Sequence, residues 1–263
     1  MSDIPPPPYN NPGFSNYPRS GFIPGEPSRP PGIYFDYISE AWRLVSSNLS
    51  TWVLSTLIFF GITYGVNIPL SLVGNYVAYG SVLGATRTPT IPGILTSFAI
   101  EILGIFITYP IQAGMLNMAL RQVRGYQVQP GDVFSGFSMT GQVVFGYFLM
   151  GLLTSIGFLC CIIPSFYVFG VVAFVPLLIV DRRMSAIEAV QESYRALKPF
   201  AWAMFGFLFV LGLISSAGIC AFCIGMLFTF PVYVMAQALT YSNFYPAPNE
   251  PASWNPIGIE PPR

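Results

Sequence analysis

Residues 142–180 are 39 consecutive positions without an Asp, Glu, Lys or Arg, and residues 199–242 are 44 more. One straight helix of 39 residues would measure about 58 Å. That is roughly twice the ~30 Å hydrocarbon core of a bilayer. Each stretch is therefore expected to fold back on itself as two spans. Pro164-Ser165 is the predicted turn in the first and "SSAG" at 215–218 the predicted turn in the second. Earlier spans are expected near 51–72 and 94–120, separated by "GNYVAYGSVLGATRTPTIPG". The predicted fold is an all-α membrane protein with six transmembrane helices, arranged as three hairpins.

Composition agrees. Charged residues make up 8 % of the 263 positions, against about 25 % in ordinary soluble proteins. The mean hydropathy is +0.60. Net charge is zero and histidine is absent, so nothing attracts nucleic acid and the usual neutral-pH base is missing. The start "MSDIPPPPYNN" has no charged segment leading into an apolar core, so the first span is expected to serve as an uncleaved anchor.

Lys and Arg set the expected orientation. Six spans would place Arg19, Arg29, Arg43, Arg121, Arg124, Arg182, Arg183, Arg195, Lys198 and Arg263 on one side, with Arg87 on the other. Both termini are therefore expected in the cytoplasm.

Seven of the twenty-two charged residues lie in "DRRMSAIEAVQESYRALK", residues 181–198. Met184, Ile187, Val190, Tyr194 and Leu197 recur there at helical spacing, opposite Glu188, Gln191, Glu192 and Arg195. The pattern predicts an amphipathic helix in the cytoplasmic interface, started by a Ser185–Glu188 capping box and closed by Pro199. "YFDYISEAWRLVSSNLS" sets Phe35, Ile38, Trp42, Val45 and Leu49 at the same spacing before the first span. "ISEAWRLV" (38–45) and "VQESYRAL" (190–197) share Glu, an aromatic residue and Arg in one order, and "PGDVFSGFSMTGQ" is a shorter lead-in. Three units are expected, each a cytoplasmic amphipathic lead-in followed by a two-span hairpin.

Residues 1–33 hold ten prolines and are expected to be a disordered cytoplasmic tail. Its "PPPPY" (5–9) fits the pattern read by WW-type grooves, which makes a protein partner one reading and a plain flexible tail the other. Residues 34–245 form the membrane domain, and 246–263 a second Pro-rich tail.

Four cysteines, Cys160, Cys161, Cys220 and Cys223, are expected near the non-cytoplasmic face. Packing at tight turns is the expectation for them, with a disulfide or a thiolate-bound metal as the alternatives weighed below it. Glu101 is expected at the outer interface, because residues 102–120 alone supply about 28 Å of uncharged helix. Asn67, Gln112, Asn117 and Gln237 are expected to bond between helices. Pro110, Pro176 and Pro231 each fall in the second span of a hairpin, and Gly61 and Gly65 form a GxxxG. No nucleophile–base pair, phosphate-cradling loop or paired intramembrane carboxylates can be read, so neither an enzyme nor a cofactor is expected.

"YPIQAGMLNMALRQVRGYQVQPGDVFSGF" (109–137), "FVPLLIVDRRMSAIEAVQESYRAL" and "CIGMLFTFPVYVMAQALTYSNFY" resemble a poorly characterised bacterial multi-span family. That family includes the membrane domain attached to some glycerophosphodiester phosphodiesterases. The resemblance covers roughly residues 35–245 and implies six helices in a bacterial cytoplasmic (inner) membrane. It carries no catalytic residue, since the phosphodiesterase's soluble domain has no counterpart here. The expected function is to organise or assist other membrane components. A small transporter or channel, with a polar path between the hairpins, is the alternative.

Overall fold

With so few polar side chains, the backbone must satisfy its own N–H and C=O groups, and helix does this within each segment. The computed structural model describes residues 30–80, 91–160, 162–220 and 225–246, and among them there is no strand. Nine α-helices are described: α1 (Asp36–Ser47), α2 (Leu49–Tyr79), α3 (Ile91–Val123), α4 (Thr140–Cys160), α5 (Ile162–Val171), α6 (Val175–Arg182), α7 (Ala186–Leu197), α8 (Ala201–Cys220) and α9 (Met226–Phe244). A 3-10 segment, Pro130–Met139, precedes α4.

Five helical stretches among the described residues are long and apolar enough to cross a membrane: Leu49–Tyr79, Ile91–Val123, Pro130–Leu159, Ile162–Arg182 and Ala186–Ser216. The sixth expected span forms a helix, α9, but is not among the five. Its second half carries Gln237, Thr240, Ser242 and Asn243. It packs beside α1, α2, α3 and α8, and Val234–Tyr241 are all buried. A helix walled in by protein needs no apolar exterior. α2, α4 and α8 do show one, with Leu54, Leu57 and Ile68 on α2, Phe148 and Ile156 on α4, and Phe209 and Leu213 on α8 all exposed. Soluble monomers rarely expose apolar patches above a few hundred Å², so this exterior suits lipid.

Both predicted turns are displaced. α4 ends at Cys160 and α5 starts at Ile162, so Pro164 sits in the first turn of α5. A missing backbone N–H is harmless there. "SSAG" lies inside α8, where Ser216 Oγ donates to Gly212 O at 2.8 Å and so satisfies its hydroxyl within the helix. An interruption that the sequence did not announce falls at Val172–Phe174, between α5 and α6.

The lead-in helices form where expected. α7 starts at the reciprocal Ser185–Glu188 capping box and stops at Leu197, before a 3-10 turn containing Pro199. It buries Ala186, Ala189, Ser193, Ala196 and Leu197, while Ile187 and Tyr194 are exposed. α1 likewise buries Tyr37, Ala41, Leu44 and Val45 and exposes Phe35 and Trp42. On α7 small residues make most of the contact with protein, while α1 seats a mixed face of one alanine and three large side chains. The two related octapeptides occupy matching environments. Ala41 and Ser193 are fully buried, Trp42 and Tyr194 are exposed, and the Glu40–Arg43 and Glu192–Arg195 contacts are both 3.9 Å.

The packing runs in a ring. The 3-10 segment packs on α3, α7 on α6, and α1 on α9. α2 runs antiparallel to α3, linked along its length by Trp52 Nε1 to Gln122 Oε1 (2.6 Å), Asn67 Nδ2 to Thr108 Oγ1 (3.0 Å) and Ser97 Oγ to Gly74 O (3.0 Å). Asn243 Nδ2 donates to Pro30 O at 3.2 Å, so the first and last described segments adjoin.

Two glycines set the closest approach. A Cβ on Gly114 would collide with the Val133 carbonyl oxygen, and one on Gly136 would collide with that of Pro110 and stand 2.8 Å from Gly114 N. By contrast, a Cβ on Gly61 or Gly65 would meet nothing within 4 Å. Gly114→Ala or Gly136→Ala should each destabilise the fold by about 1–3 kcal/mol, while Gly61→Ala and Gly65→Ala should leave thermal unfolding in detergent nearly unchanged.

Candidate functional site: a charged junction of three helices

Ionic groups at one end of the bundle are drawn inward to a single point. Arg124, one residue past α3, engages both carboxylate oxygens of Asp181 in α6: Nη1 pairs with Oδ1, and Nη2 donates to Oδ2 at 2.9 Å. From α9, Tyr241 Oη donates to the same Oδ2 at 2.8 Å. The Arg124 and Asp181 side chains are only 16 % and 11 % exposed, and Tyr241 is fully buried. The junction thus draws one member from the chain just past α3, one from α6 and one from α9. A fork-shaped guanidinium matches a carboxylate at two points, so the junction fixes rotation as well as distance.

A second layer surrounds it. Phe174 sets its ring edge-on to Tyr241 at 5.4 Å. The Arg182 guanidinium lies 4.6 Å from the centre of the Tyr245 ring, and Tyr245 Oη donates to Glu192 Oε1 at 3.0 Å. Burial first, and then the Glu192 carboxylate, push the Tyr245 phenol above its ordinary range. Arg121 Nη1 meets Asp132 at 2.8 Å. Gln122 accepts from Trp52 and passes a 2.8 Å bond to Leu44 O.

The interrupted helix beneath this layer is also closed. Breaking α5 from α6 frees backbone groups that a membrane interior cannot hydrate. Ser193 Oγ donates to Val171 O (2.6 Å) and accepts from Phe174 N (3.3 Å), and Gln237 Nε2 donates to Ala173 O (2.9 Å).

The residues singled out in the sequence fall in several places. Gln237 is the cap just described. Asn117 Nδ2 donates to Ser135 Oγ at 3.0 Å, tying α3 to the 3-10 segment, and Asn67 ties α2 to α3. Gln112 is half-buried on α3. Cys161 and Cys223 lie outside the described residues, as do the side chains of Glu101, Cys160 and Cys220 and the "PPPPY" stretch. Among the described residues no group of three or more His, Cys, Asp or Glu is placed to hold a metal ion. Sequence reasoning missed the Arg124–Asp181–Tyr241 junction because it grouped Asp181 with the polar interfacial segment 181–198. The available signal was that Asp181 ends an uncharged helical run.

No family model matches the chain, and neither a curated protein nor a solved structure matches it.

Removing one partner of a buried ion pair leaves the other charge uncompensated, at a cost of about 3–5 kcal/mol. Asp181→Leu should show a loss of that size in SDS-induced unfolding of the micellar protein. Combining it with Arg124→Leu should cost less than the sum of the two single changes. Tyr241→Phe should cost about 1.5–3 kcal/mol.

Proposed function

We propose that this chain is a non-enzymatic, multi-pass membrane protein that organises or assists other membrane components by contact. It crosses the bilayer six times as three hairpins and keeps both termini in the cytoplasm. The adjoining Pro30 and Asn243 support an even number of crossings. α9 supplies the sixth, its second half enclosed by the other helices. The bacterial cytoplasmic membrane is the location that the sequence resemblance implies.

One observation carries the contact role. Polar side chains within the apolar bundle, Asn67, Asn117 and Gln237, are spent on internal bonds. They brace helices and do not line a path. The charged end is correspondingly rigid and suits a platform. The transport alternative draws support from the interrupted α5–α6 span, since broken helices frame the substrate sites of many transporters.

Reconstitution in liposomes separates the two readings. Contact predicts no solute or ion flux above empty vesicles, together with partner capture from native membranes that is lost when residues 1–33 are deleted. Flux that disappears in Gln112→Leu or Gln237→Leu would establish transport instead.

A further inference from the structure

The three lead-in elements share one electrostatic asymmetry. In the Glu40–Arg43 pair of α1, the carboxylate side chain is 19 % exposed and the guanidinium side chain 56 %. Asp132 of the 3-10 segment is 23 % exposed and its partner Arg121 42 %. In α7, Glu192 is 13 % exposed and Arg195 67 %. Each carboxylate is tucked against protein while each guanidinium reaches outward. Asp36 and Glu188 are also exposed, but the three pairs turn their arginines outward as a rim at this end, one beside each lead-in element. Arg182, Arg183 and Lys198 are exposed on the same end.

The rim is interleaved with apolar groups. Trp42 and Tyr194 stand immediately before Arg43 and Arg195 and are exposed, and Phe134 and Phe137 are exposed on the 3-10 segment that holds Asp132. Cations beside outward aromatic rings match the headgroup zone of a bilayer, where ring and charge are accommodated at neighbouring depths. An acidic soluble partner would engage the arginines but leave Trp42 and Phe137 facing water. We infer that this rim is a binding surface for anionic phospholipids, with Arg43, Arg121 and Arg195 each taking one headgroup phosphate. The inference rests on the bilayer placement proposed above and not on the organising role.

Tryptophan quenching by brominated lipids reads the association directly. The full chain is reconstituted in phosphatidylcholine vesicles containing either brominated phosphatidylglycerol or brominated phosphatidylcholine at equal mole fraction. The anionic lipid should associate with the rim about fivefold more strongly at each arginine, with the preference falling as salt is raised. R43Q/R121Q/R195Q should bring the preference close to one. R43Q/R195Q leaves the tighter Arg121–Asp132 contact in place and should retain only the Arg121 share. Equal quenching by the two lipids in the unaltered protein would overturn the inference, as would an undiminished preference in the triple variant. Inorganic phosphate that removes the preference, where chloride of equal ionic strength does not, would reassign the surface to a free anion. Protein that is released from vesicles by an alkaline carbonate wash would instead refute the bilayer placement.

Discussion

Within a bilayer, lipid tails are as apolar as leucine, so nothing like the hydrophobic effect presses one helix against another. Directed bonds and close packing must set register. Here the bidentate Arg124–Asp181 pair, joined by Tyr241, does this for three helices at once. Together with the Gln237 bond to Ala173 O, it sets the register of α9 against the α5–α6 segment. Its burial raises the cost of breaking it and discourages alternative packings, which is the setting in which a buried ion pair serves specificity more than net stability.

The helix break at Val172–Phe174 follows the same logic on a smaller scale. Neighbouring helices donate side chains to the freed carbonyls of Val171 and Ala173, so the irregular backbone becomes a docking point for α7 and α9. The glycine contacts between α3 and the 3-10 segment work by the opposite means, removing side chains so that backbones meet.

Much of the architecture was legible, because lipid imposes a strict length scale on uncharged runs and because lead-in helices carry their caps in sequence. Ser185, Glu188 and Pro199 announced α7 correctly. Helix rotation was less legible. Amphipathicity in water predicts that the large apolar face turns inward. α7 buries mainly alanine and serine and turns Ile187 and Tyr194 out, whereas α1 buries Tyr37, Leu44 and Val45 and still turns Trp42 out. Turns were misplaced because Pro164 and the serines at 215–216 are tolerated in helices when surrounding groups satisfy the backbone. Lastly, the junction depends on three residues separated by 57 and 60 positions, and local pattern carries no record of such distant pairing.

The seating of α1 on α9 has a consequence for biogenesis. α1 finds its berth only after α9, which follows it in the chain, has left the ribosome. Synthesis proceeds at about 5–20 residues per second, so the nascent N-terminal segment must wait roughly ten seconds or more at the membrane surface. Its outward Trp42 and Phe35 give it lipid to rest on during that delay.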